Sequence, residues 1–447
     1  MVKRAFLGMI AVVILVMAIA GVGTAISFHR QRAHLSVEAV EGPRPELGKP
    51  HRGLIPLVKV AQPIGWKNGE APVAAAGLKV QRFAADLDHP RWLLALPNGD
   101  ILVAETNAPP KPDDNPGIKG WIRTMMMGMA GAGGKSANRI SVLRDTNGDG
   151  VADRRSTLLS GLNSPFGMAL VGDQLYVADT DALLRFPFRV GDTKITARAH
   201  KVVALPAGTI NHHWTKNVIA TPDGTRLYVT VGSNSNVGER GLAAEQERAA
   251  IWEIDTKSGS YRIYAYGIRN PNGMAWEPVT RELWVVVNER DELGSDIVPD
   301  YLTNVQFGGF YGWPWFYWGG YPDNRPKEPP PALLQETAIR PDYALGPHTA
   351  SLGLAFATGN QLGARFAEGA FIGQHGSWNR KPPSGYKVVF VRFAHGKPVG
   401  KPIDVLTGFL DADGRAHGRP VGVAIDRNGG LLVADDVGNS IWRVSAR

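Results

Sequence analysis

Cysteine is absent from this chain of 447 residues. Its absence excludes disulfides, thiolate catalysis, thiolate-bound metals and covalent attachment of haem c. Nucleic-acid-binding signatures are also missing, because the net charge of +8 comes from scattered lysines and arginines without a basic helix or an aromatic RNA motif. We therefore interpret the basic charge as a surface property that favours anionic membranes, and we predict no nucleic-acid partner.

Glycine and proline are plentiful, with 53 and 32 residues, while 44% of the chain is hydrophobic and 20% is charged. A chain of this length can bury a large core, and its glycine and proline content suits many short strands joined by turns. The composition therefore predicts a globular protein that is rich in β-structure.

The stretch from Tyr266 to Asp296 carries the pattern on which the interpretation depends. Arg269 and Asn270 precede a first strand, a turn leads to a second apolar strand from Leu283 to Val287, and a charged, turn-rich run follows. Polar residues confined to the ends of strands are typical of a scaffold that presents a site on its loops.

The same strand-turn-strand phrase occurs six times in the chain. The five further copies are Pro90 to Glu105, Pro165 to Asp179, Asn217 to Gly232, Ser351 to Gly373 and Pro420 to Asp435. Each copy joins two apolar strands through a turn that contains Gly, Asp or Asn, as a β-hairpin requires. Copies at roughly the spacing of propeller blades predict an all-β, six-bladed β-propeller; a large β-sandwich or two unrelated β-domains is the alternative.

Three segments divide the chain. Residues 1–28 form a predicted signal peptide or membrane anchor, because Lys3 and Arg4 precede an uncharged run from Ala5 to Phe28 that is long enough to cross a bilayer. Residues 29–77 are a predicted linker, and residues 78–447 are the predicted propeller. Either form of the first segment exports the remainder, so we expect a periplasmic protein, attached to the inner membrane where the segment is retained.

A calcium-binding turn is one interpretation of the run from Asp145 to Asp153. Oxygen ligands at alternate positions around a glycine turn suit Ca²⁺, and the candidate ligands are Asp145, Asn147, Asp149 and Asp153. Ser156 stands at the twelfth position, where an EF-hand has a bidentate Glu, so an ordinary turn without metal is the alternative. A metal bound here would have a structural role.

Two histidines, His212 and His213, lie just before the strand that begins at Asn217. Histidine is the usual general base near neutral pH, and a place at the end of a propeller strand would direct it to the central funnel. Adjacent side chains point to different sides, so we expect at most one of them to act as the base. Taken alone, the sequence favours loop hydrogen bonding for both histidines and structural contacts for Arg269 and Arg419.

Four motifs resemble those of the glucose/sorbosone dehydrogenase family. They are His213-Trp214-Thr215-Lys216-Asn217, Gly267-Ile268-Arg269-Asn270-Pro271-Asn272-Gly273, Tyr311-Gly312-Trp313-Pro314 and Arg419-Pro420-Val421-Gly422-Val423. The similarity extends from Leu78 to Val444, and the His-Trp-Thr form with the run from Gln374 to Arg380 resembles the sorbosone dehydrogenase-like branch. The resemblance implies a six-bladed propeller that binds pyrroloquinoline quinone (PQQ) and Ca²⁺ and oxidises aldoses or related sugar aldehydes.

The resemblance also implies roles for individual residues. His213 corresponds to the family's base, which removes the substrate hydroxyl proton while hydride passes to the quinone. Arg269 and Asn270 correspond to the pair that contacts the quinone carbonyls. Arg419 corresponds to one of two late arginines that bind the cofactor's carboxylates. The other cofactor-binding candidates stand where the family has Gln, Lys and the second arginine, and they are Asn272, Arg380 and His417.

The calcium ion that the resemblance implies would lie beside the cofactor, in the acidic loop from Glu289 to Asp296. Its candidate ligands are Glu289, Arg290, Asp291 and Asp296, with Arg290-Asp291 replacing the Gly-Pro pair whose carbonyls bind the metal in the family. Ser233 stands where characterised relatives carry a carboxylate beside the base. The family pattern therefore does not identify the group that orients His213.

We accordingly expect an exported, PQQ-dependent oxidoreductase that acts on a sugar aldehyde or an aldose. The absence of covalent haem implies that electrons pass to an external acceptor. The alternatives are a non-catalytic propeller that binds carbohydrate in the same funnel and a calcium-dependent propeller lactonase.

Overall fold

The computed structural model describes residues 26–53, 57–110, 128 and 134–447. The predicted signal peptide or anchor lies outside these residues except for positions 26–28. Within the described ranges, no helix has both the length and the apolar character needed to span a membrane.

Six antiparallel sheets make up the fold, and each sheet is one blade of four main strands. Blade 1 comprises Pro90–Ala95, Ile101–Glu105, Arg139–Arg144 and Arg154–Ser160. Blade 2 comprises Met168–Val171, Gln174–Ala178, Ala182–Pro187 and His200–Ala204. Blade 3 comprises Val218–Ala220, Arg226–Val231, Ala250–Asp255 and Tyr261–Tyr266. Blade 4 comprises Pro271–Trp276, Leu283–Val287, Pro299–Asn304 and Tyr343–Pro347. Blade 5 comprises Ser351–Phe356, Gly369–Gln374, Lys387–Ala394 and Lys397–Thr407. Blade 6 comprises Pro420–Ile425, Leu431–Asp435, Ser440–Ala446 and Leu78–Ala84.

This arrangement confirms the predicted six-bladed propeller. The innermost strand of each blade contacts that of the next, and the innermost strand of blade 6 contacts that of blade 1, so the blades form a closed ring. Leu78–Ala84 is the outermost strand of blade 6 and pairs with Ser440–Ala446. One blade therefore contains strands from both ends of the domain, which holds the ring closed.

The described part of the predicted linker packs against the propeller. Glu41–Gly42 pairs with Tyr343–Pro347 at the edge of blade 4, and Val73–Ala74 pairs with Lys397–Thr407 at the edge of blade 5. These short strands cover two edges that would otherwise expose unpaired backbone groups. The remaining elements are the 3₁₀ turns Glu38–Val40, Leu242–Glu245, Leu334–Thr337 and Ala364–Phe366 and the hairpin of Phe316–Tyr317 with Tyr321–Pro322.

The hydrophobic core consists of layers between neighbouring blades. In the second strand of blade 4, Trp284 and Val286 pack against blade 5, whereas Val285 packs against blade 3. Alternate side chains of a strand point to opposite faces, so a strand between two blades is buried on both faces. This burial explains why the second strands read as continuous apolar runs.

Four glycines allow the innermost strands to approach each other closely. They occupy the third position of Pro-x-Gly or Ser-x-Gly phrases and are Gly167, Gly273, Gly353 and Gly422. A Cβ atom at Gly353 would lie 2.2 Å from the carbonyl oxygen of Val421 in blade 6. A Cβ atom at Gly422 would lie 2.7 Å from the carbonyl oxygen of Arg91 in blade 1. Only glycine permits such contacts between backbones, so the repeated phrase determines how tightly the ring closes.

Replacing Gly353 with alanine is expected to lower the free energy of unfolding by about 1–3 kcal/mol, because the added methyl group forces two innermost strands apart. Urea-induced unfolding measures the difference. Gly320→Ala is the matched control, since the nearest atom to a Cβ there would be 3.5 Å away. Equal losses of stability in the two variants would contradict the argument from close approach.

Candidate functional site

The loops before the innermost strands and after the second strands meet at one end of the ring. Pro271, the first residue of an innermost strand, pairs with Val287, the last residue of the second strand. Pro420 pairs with Asp435 in the same way in blade 6. Because these strands are antiparallel, both loops of every blade lie at the end that we call the site mouth. The loops of the site mouth that carry candidate residues are 88–91, 211–216, 232–249, 267–270, 288–298, 375–386, 415–419 and 435–439.

His213 lies at the site mouth beside blade 3. Its Nδ1 is 2.8 Å from the carbonyl oxygen of Ser233 and 3.0 Å from the hydroxyl oxygen of the same residue. The Ser233 hydroxyl donates to the carbonyl of Ser235 at 2.7 Å, so both Ser233 oxygens accept from the ring and Nδ1 carries the proton. This tautomer places the lone pair on Nε2, as a general base requires. Ser233 thus orients the imidazole where relatives carry a carboxylate.

Buried polar groups fix the loop that carries His213. The carbonyl of Trp214 accepts hydrogen bonds from the hydroxyl of Thr180 at 2.9 Å and from the ammonium of Lys216 at 3.3 Å. Lys216 is fully buried and also donates to the carbonyl of His213 at 3.4 Å. Asn211 donates to Thr180 at 2.8 Å. These bonds hold the His213 backbone from blades 2 and 3, and none of their donors was predicted from the sequence as a site residue.

Asn270 lies next to His213 at the site mouth. A Cβ atom at Gly232 would lie 2.6 Å from both Asn270 Oδ1 and His213 Cβ, so the two residues flank this glycine. Asn270 Oδ1 is buried and has no hydrogen-bond partner among the described residues. Buried amides normally form hydrogen bonds, so the side chain of Asn270 is suited to a polar ligand.

The guanidinium of Arg269 binds protein oxygens through all five of its N–H groups. Nε and Nη2 donate to the carbonyl and side-chain oxygens of Asn236 at 3.1 and 2.9 Å. Nη1 donates to the carbonyls of Glu289 and Asn288 at 2.6 and 3.4 Å. Nη2 also donates to Asp291 at 3.1 Å. The predicted contact of Arg269 with quinone carbonyls would therefore require one of these bonds to open.

Asp291 is the carboxylate partner of Arg269. It also accepts a hydrogen bond from Asn379 at 2.8 Å and lies 3.6 Å from His348. Burial favours the neutral acid, but Arg269, followed by His348 and Asn379, outweighs burial and holds the pKa of Asp291 well below its usual range. The carboxylate is therefore ionised and links the loops of blades 3, 4 and 5.

The other predicted calcium ligands in this loop are only partly paired, because Glu289 Oε1 and Asp296 Oδ1 are buried without a hydrogen-bond partner among the described residues. Arg290 is fully buried and pairs with Glu289 at 3.0 Å and with Asp323 at 3.2 Å. Asp296 accepts a hydrogen bond from the backbone of His34 at 2.8 Å. Over the described ranges of the chain, no three acidic or histidine side chains converge as metal ligands. Calcium in this loop stays a prediction.

The turn from Asp145 to Asp153 joins the third and fourth strands of blade 1, so it lies at the end of the ring opposite to the site mouth. Asp145 accepts hydrogen bonds at 2.7 and 2.8 Å from two glycine amides of the turn. Asn147 donates to Asp149 at 3.0 Å, and Asp153 accepts from the backbone of Thr146 at 3.3 Å. These bonds are those of an ordinary Asp-rich turn, and metal binding here also stays a prediction.

Three predicted cofactor ligands make structural contacts. Asn272 accepts a hydrogen bond from Thr215 at 3.2 Å. Arg380 is buried and donates to three backbone carbonyls at 2.8–3.3 Å. His417 stacks on Trp66 with 5.0 Å between the ring centroids. The polar groups of these side chains are directed to the protein itself, and their cofactor roles stay predictions.

Two arginines at the site mouth retain donors without acceptors. Arg419 is buried, donates to the hydroxyl of Tyr386 at 3.1 Å and lies over the ring of that tyrosine. Arg91 pairs with Asp436 at 2.7 Å. The Nε atoms of both arginines are buried and have no acceptor among the described residues. Arg91 was not predicted, although its place directly after Pro90 of the repeated phrase was the available signal.

Asp436 lies at the centre of a group of basic side chains. Besides Arg91, it contacts His375 Nε2 at 2.9 Å and His89 Nε2 at 3.4 Å. Burial opposes its ionisation, but His375, His89 and Arg91 hold the pKa of Asp436 well below its usual range. Burial, opposed by Asp436 and assisted by Arg419 and Arg91, lowers the pKa of His375 to about 4. We call these four residues, together with Arg419, the Asp436 cluster.

Replacing Asp291 with asparagine is expected to lower the free energy of unfolding by about 1–3 kcal/mol at pH 7, because Arg269 loses its carboxylate partner. The pKa of Asp291 is depressed in the folded protein, so its contribution is present at neutral pH. It is lost as the pH falls below about 4, where the difference between the two proteins should shrink. Urea unfolding across this range measures the effect, with exposed Asp413→Asn as control. A difference that is independent of pH would contradict the ion-pair interpretation.

Comparison with known proteins identifies the family. A family model described as TrAA12-like matches residues 134–303 and 332–447, which is more than half of the chain. The pyrroloquinoline quinone-dependent pyranose dehydrogenase of Coprinopsis cinerea is 26% identical in an alignment 224 positions long, which covers 40% of this chain and 30% of that protein.

Solved structures share the propeller fold. The holo form of the PQQ domain of the Coprinopsis cinerea pyranose dehydrogenase has a TM-score of 0.65 and 20% identity, with 87% of this chain and 100% of that chain covered. A Trichoderma reesei enzyme of carbohydrate-active enzyme family AA12 has a TM-score of 0.67 and 19% identity, with 87% and 99% covered. The predicted resemblance to quinoprotein sugar dehydrogenases is confirmed at the level of the family, whereas the sorbosone branch stays a prediction. The chain belongs to the TrAA12-like family.

Proposed function

We propose that this protein is a PQQ-dependent dehydrogenase that oxidises an aldose or a related sugar aldehyde and passes the electrons to an external acceptor. The observation that carries the proposal is the oriented imidazole of His213 beside the unpaired amide of Asn270, at the same mouth as the unsatisfied donors of Arg91 and Arg419. A proton acceptor, an amide for a carbonyl group and cations for carboxylates are the groups that such an enzyme requires.

The residues present fit PQQ, a flat quinone with three carboxylates. Arg91 and Arg419 would hold carboxylates through the donors that lack acceptors. Asn270 would donate to a quinone carbonyl through Nδ2, because its unpaired Oδ1 is an acceptor and cannot bond to another carbonyl oxygen. When bound, PQQ supplies the two-electron acceptor for the hydride that leaves the sugar. The fit rests on buried polar groups that the described protein leaves unpaired.

His213 would act as the general base. Its Nδ1–H is held by Ser233, so Nε2 takes the proton of the anomeric hydroxyl as the hydride leaves the same carbon. The electrons of the O–H bond then form the new C=O bond, and a cyclic aldose becomes a lactone. Because neutral oxygens orient the ring, the resulting imidazolium gains less stabilisation than it would beside a carboxylate.

Arg269 and Lys216 would act through charge and position. Arg269 is held by Asp291 and by backbone carbonyls directly beside Asn270, so it places a fixed positive charge next to the quinone-binding amide. Lys216 holds the backbone of the base. Calcium binding by the loop from Glu289 to Asp296 would compete with Arg269 for the oxygens that this arginine now binds.

The relatives support the sugar substrate, because the Coprinopsis cinerea protein is named as a PQQ-dependent pyranose dehydrogenase. The chain spans about a third of the length of that protein, so the substrate remains part of the proposal. We further propose that residues 1–28 export the propeller to the periplasm and attach it to the inner membrane where they are retained.

Titration of the purified protein with PQQ in the presence of Ca²⁺ is expected to show saturable binding, followed by loss of the quinone absorbance when the right aldose or sugar aldehyde is added. Arg419→Met should weaken binding by about tenfold or more, because a charge-assisted hydrogen bond is lost. Binding of carbohydrate without binding of PQQ would favour the non-catalytic alternative. Hydrolysis of lactones with calcium alone would favour the lactonase.

Replacing His213 with alanine is expected to lower the turnover number by about two to four orders of magnitude while the affinity for PQQ is retained, because only proton removal is lost. Dye-linked turnover and the quinone titration measure the two quantities separately. His212→Ala is the matched control and should stay within about tenfold of the wild-type turnover. Unchanged turnover in His213→Ala would exclude this residue as the base.

A further inference from the structure

We infer that the Asp436 cluster is a carboxylate-binding site in which His375 takes up one proton when the ligand binds. The inference rests on the proposed function for the identity of the ligand as PQQ, but the proton uptake follows from the cluster itself. The chemical class of the ligand is a carboxylate, because the donors that remain without acceptors belong to guanidinium groups.

The two arginines of the cluster are unequally paired. Asp436 pairs with Arg91 at 2.7 Å, whereas Arg419 has no carboxylate within ion-pair distance in the described part of the chain. The neighbouring carboxylate, Asp435, is directed instead to the indole of Trp66 at 2.7 Å and to backbone amides, including that of Arg419. A buried guanidinium without a carboxylate is costly, and an anionic ligand would remove that cost.

His375 is placed to respond to such a ligand. Its Nε2–H donates to Asp436, which leaves Nδ1 as the site of protonation, and Nδ1 has no hydrogen-bond partner among the described residues. The charged groups that act on the ring are Asp436 from blade 6, Arg91 from blade 1 and Arg419 from the loop before blade 6. His89 contacts the same Asp436 carboxylate. His89 is also held towards its neutral form, because burial lowers its pKa.

Binding of a carboxylate would favour the protonated form of His375 over the neutral form. In the ligand-free protein, burial and the two arginines keep the pKa of His375 at about 4. A ligand carboxylate offsets the arginine charges and accepts a hydrogen bond from Nδ1–H, so it favours the imidazolium and raises the pKa. One proton is then taken up at any pH between the pKa of the free protein and that of the complex.

Because ligand binding is coupled to protonation of His375, the affinity for the ligand depends on pH. Between the two pKa values, affinity rises as the pH falls, by at most about tenfold per pH unit for one proton. Above the pKa of the complex the ring is neutral in both states, and affinity is independent of pH. The guanidinium groups stay charged between pH 5 and 7.5 and add no such dependence. The neighbouring carboxyl of Asp435, whose pKa burial raises to about 6, is the other group that titrates in this range, so the comparison with His375→Gln assigns the proton.

Calorimetric titration with PQQ at pH 5.5, in two buffers of different ionisation enthalpy, tests the inference. The wild type is expected to take up as much as one proton per ligand and to bind several-fold more tightly at pH 5.5 than at pH 7.5. His375→Gln can still donate to Asp436 but cannot be protonated, so it should bind without proton uptake and with a flat pH profile. His200→Gln, on an exposed outer strand, is the matched control and should behave as the wild type.

Binding of PQQ by the wild type without proton uptake would overturn the inference and leave the proposed function standing. Persistence of the uptake in His375→Gln would also overturn it. If His375→Gln does not fold, NMR titration of the His375 imidazole in the wild type replaces it, and an unchanged pKa on addition of PQQ refutes the inference.

Glucuronate and inorganic phosphate distinguish the source of the anion. Proton-coupled binding of glucuronate without binding of PQQ would support the carboxylate site and refute the proposed cofactor. Equal coupling with inorganic phosphate would overturn the assignment of the site to carboxylates.

Discussion

The close approach of the innermost strands is the constraint on which the rest of the structure depends. At Gly353 and Gly422 the backbone of one blade touches that of the next, so the ring converges and the ends of its strands are brought within hydrogen-bond distance. Blade 3 carries Asn217 in place of the glycine, and its side-chain amide donates to the carbonyl of Asn272 in blade 4 at 3.1 Å. A hydrogen bond thus replaces the direct backbone contact at this position. Convergence of this kind places residues of blades 1, 5 and 6 around one carboxylate, Asp436.

A second repeated contact accounts for three of the buried acidic residues at the site mouth. In blades 1, 2 and 6, a carboxylate at the end of the second strand accepts a hydrogen bond from a backbone amide just before the innermost strand. The three carboxylates are Glu105, Asp179 and Asp435, with distances of 2.6, 2.8 and 2.8 Å. Burial raises the pKa of Asp179 to about 7 and that of Asp435 to about 6. Burial causes these shifts, and the recurring backbone hydrogen bond opposes them. Both are structural features of the fold, so a perturbed pKa alone does not mark the chemistry here.

The sequence predicted the fold well because each blade begins with the same local strand-turn-strand motif. The alternation of side chains along the strands and the turn residues determine the strand register of that motif. It also predicted the place of His213 before an innermost strand, whereas the role of His213 as the base stays a prediction. Arg91 and Asp436 were missed because their pairing joins residues that are distant in the chain and meet only when the ring closes. Arg380 shows what the sequence could not reveal: its side chain is directed to backbone carbonyls. Its cofactor role stays a prediction. The sequence thus predicted where these residues lie in the fold better than the direction in which their side chains point.

The arginines at the site mouth differ in how many of their N–H groups already have an acceptor within the protein. This difference determines which of them are suited to bind a ligand. Arg269 has an acceptor for every N–H group, so exchanging any of these for a ligand gains little net free energy. Arg91 and Arg419 each keep a buried Nε without an acceptor, and burying a donor in this state costs about 1–3 kcal/mol. An anion that reaches these donors relieves that cost in addition to forming its own bonds. The unsatisfied groups, more than the residue types, therefore indicate where this propeller binds an anionic ligand.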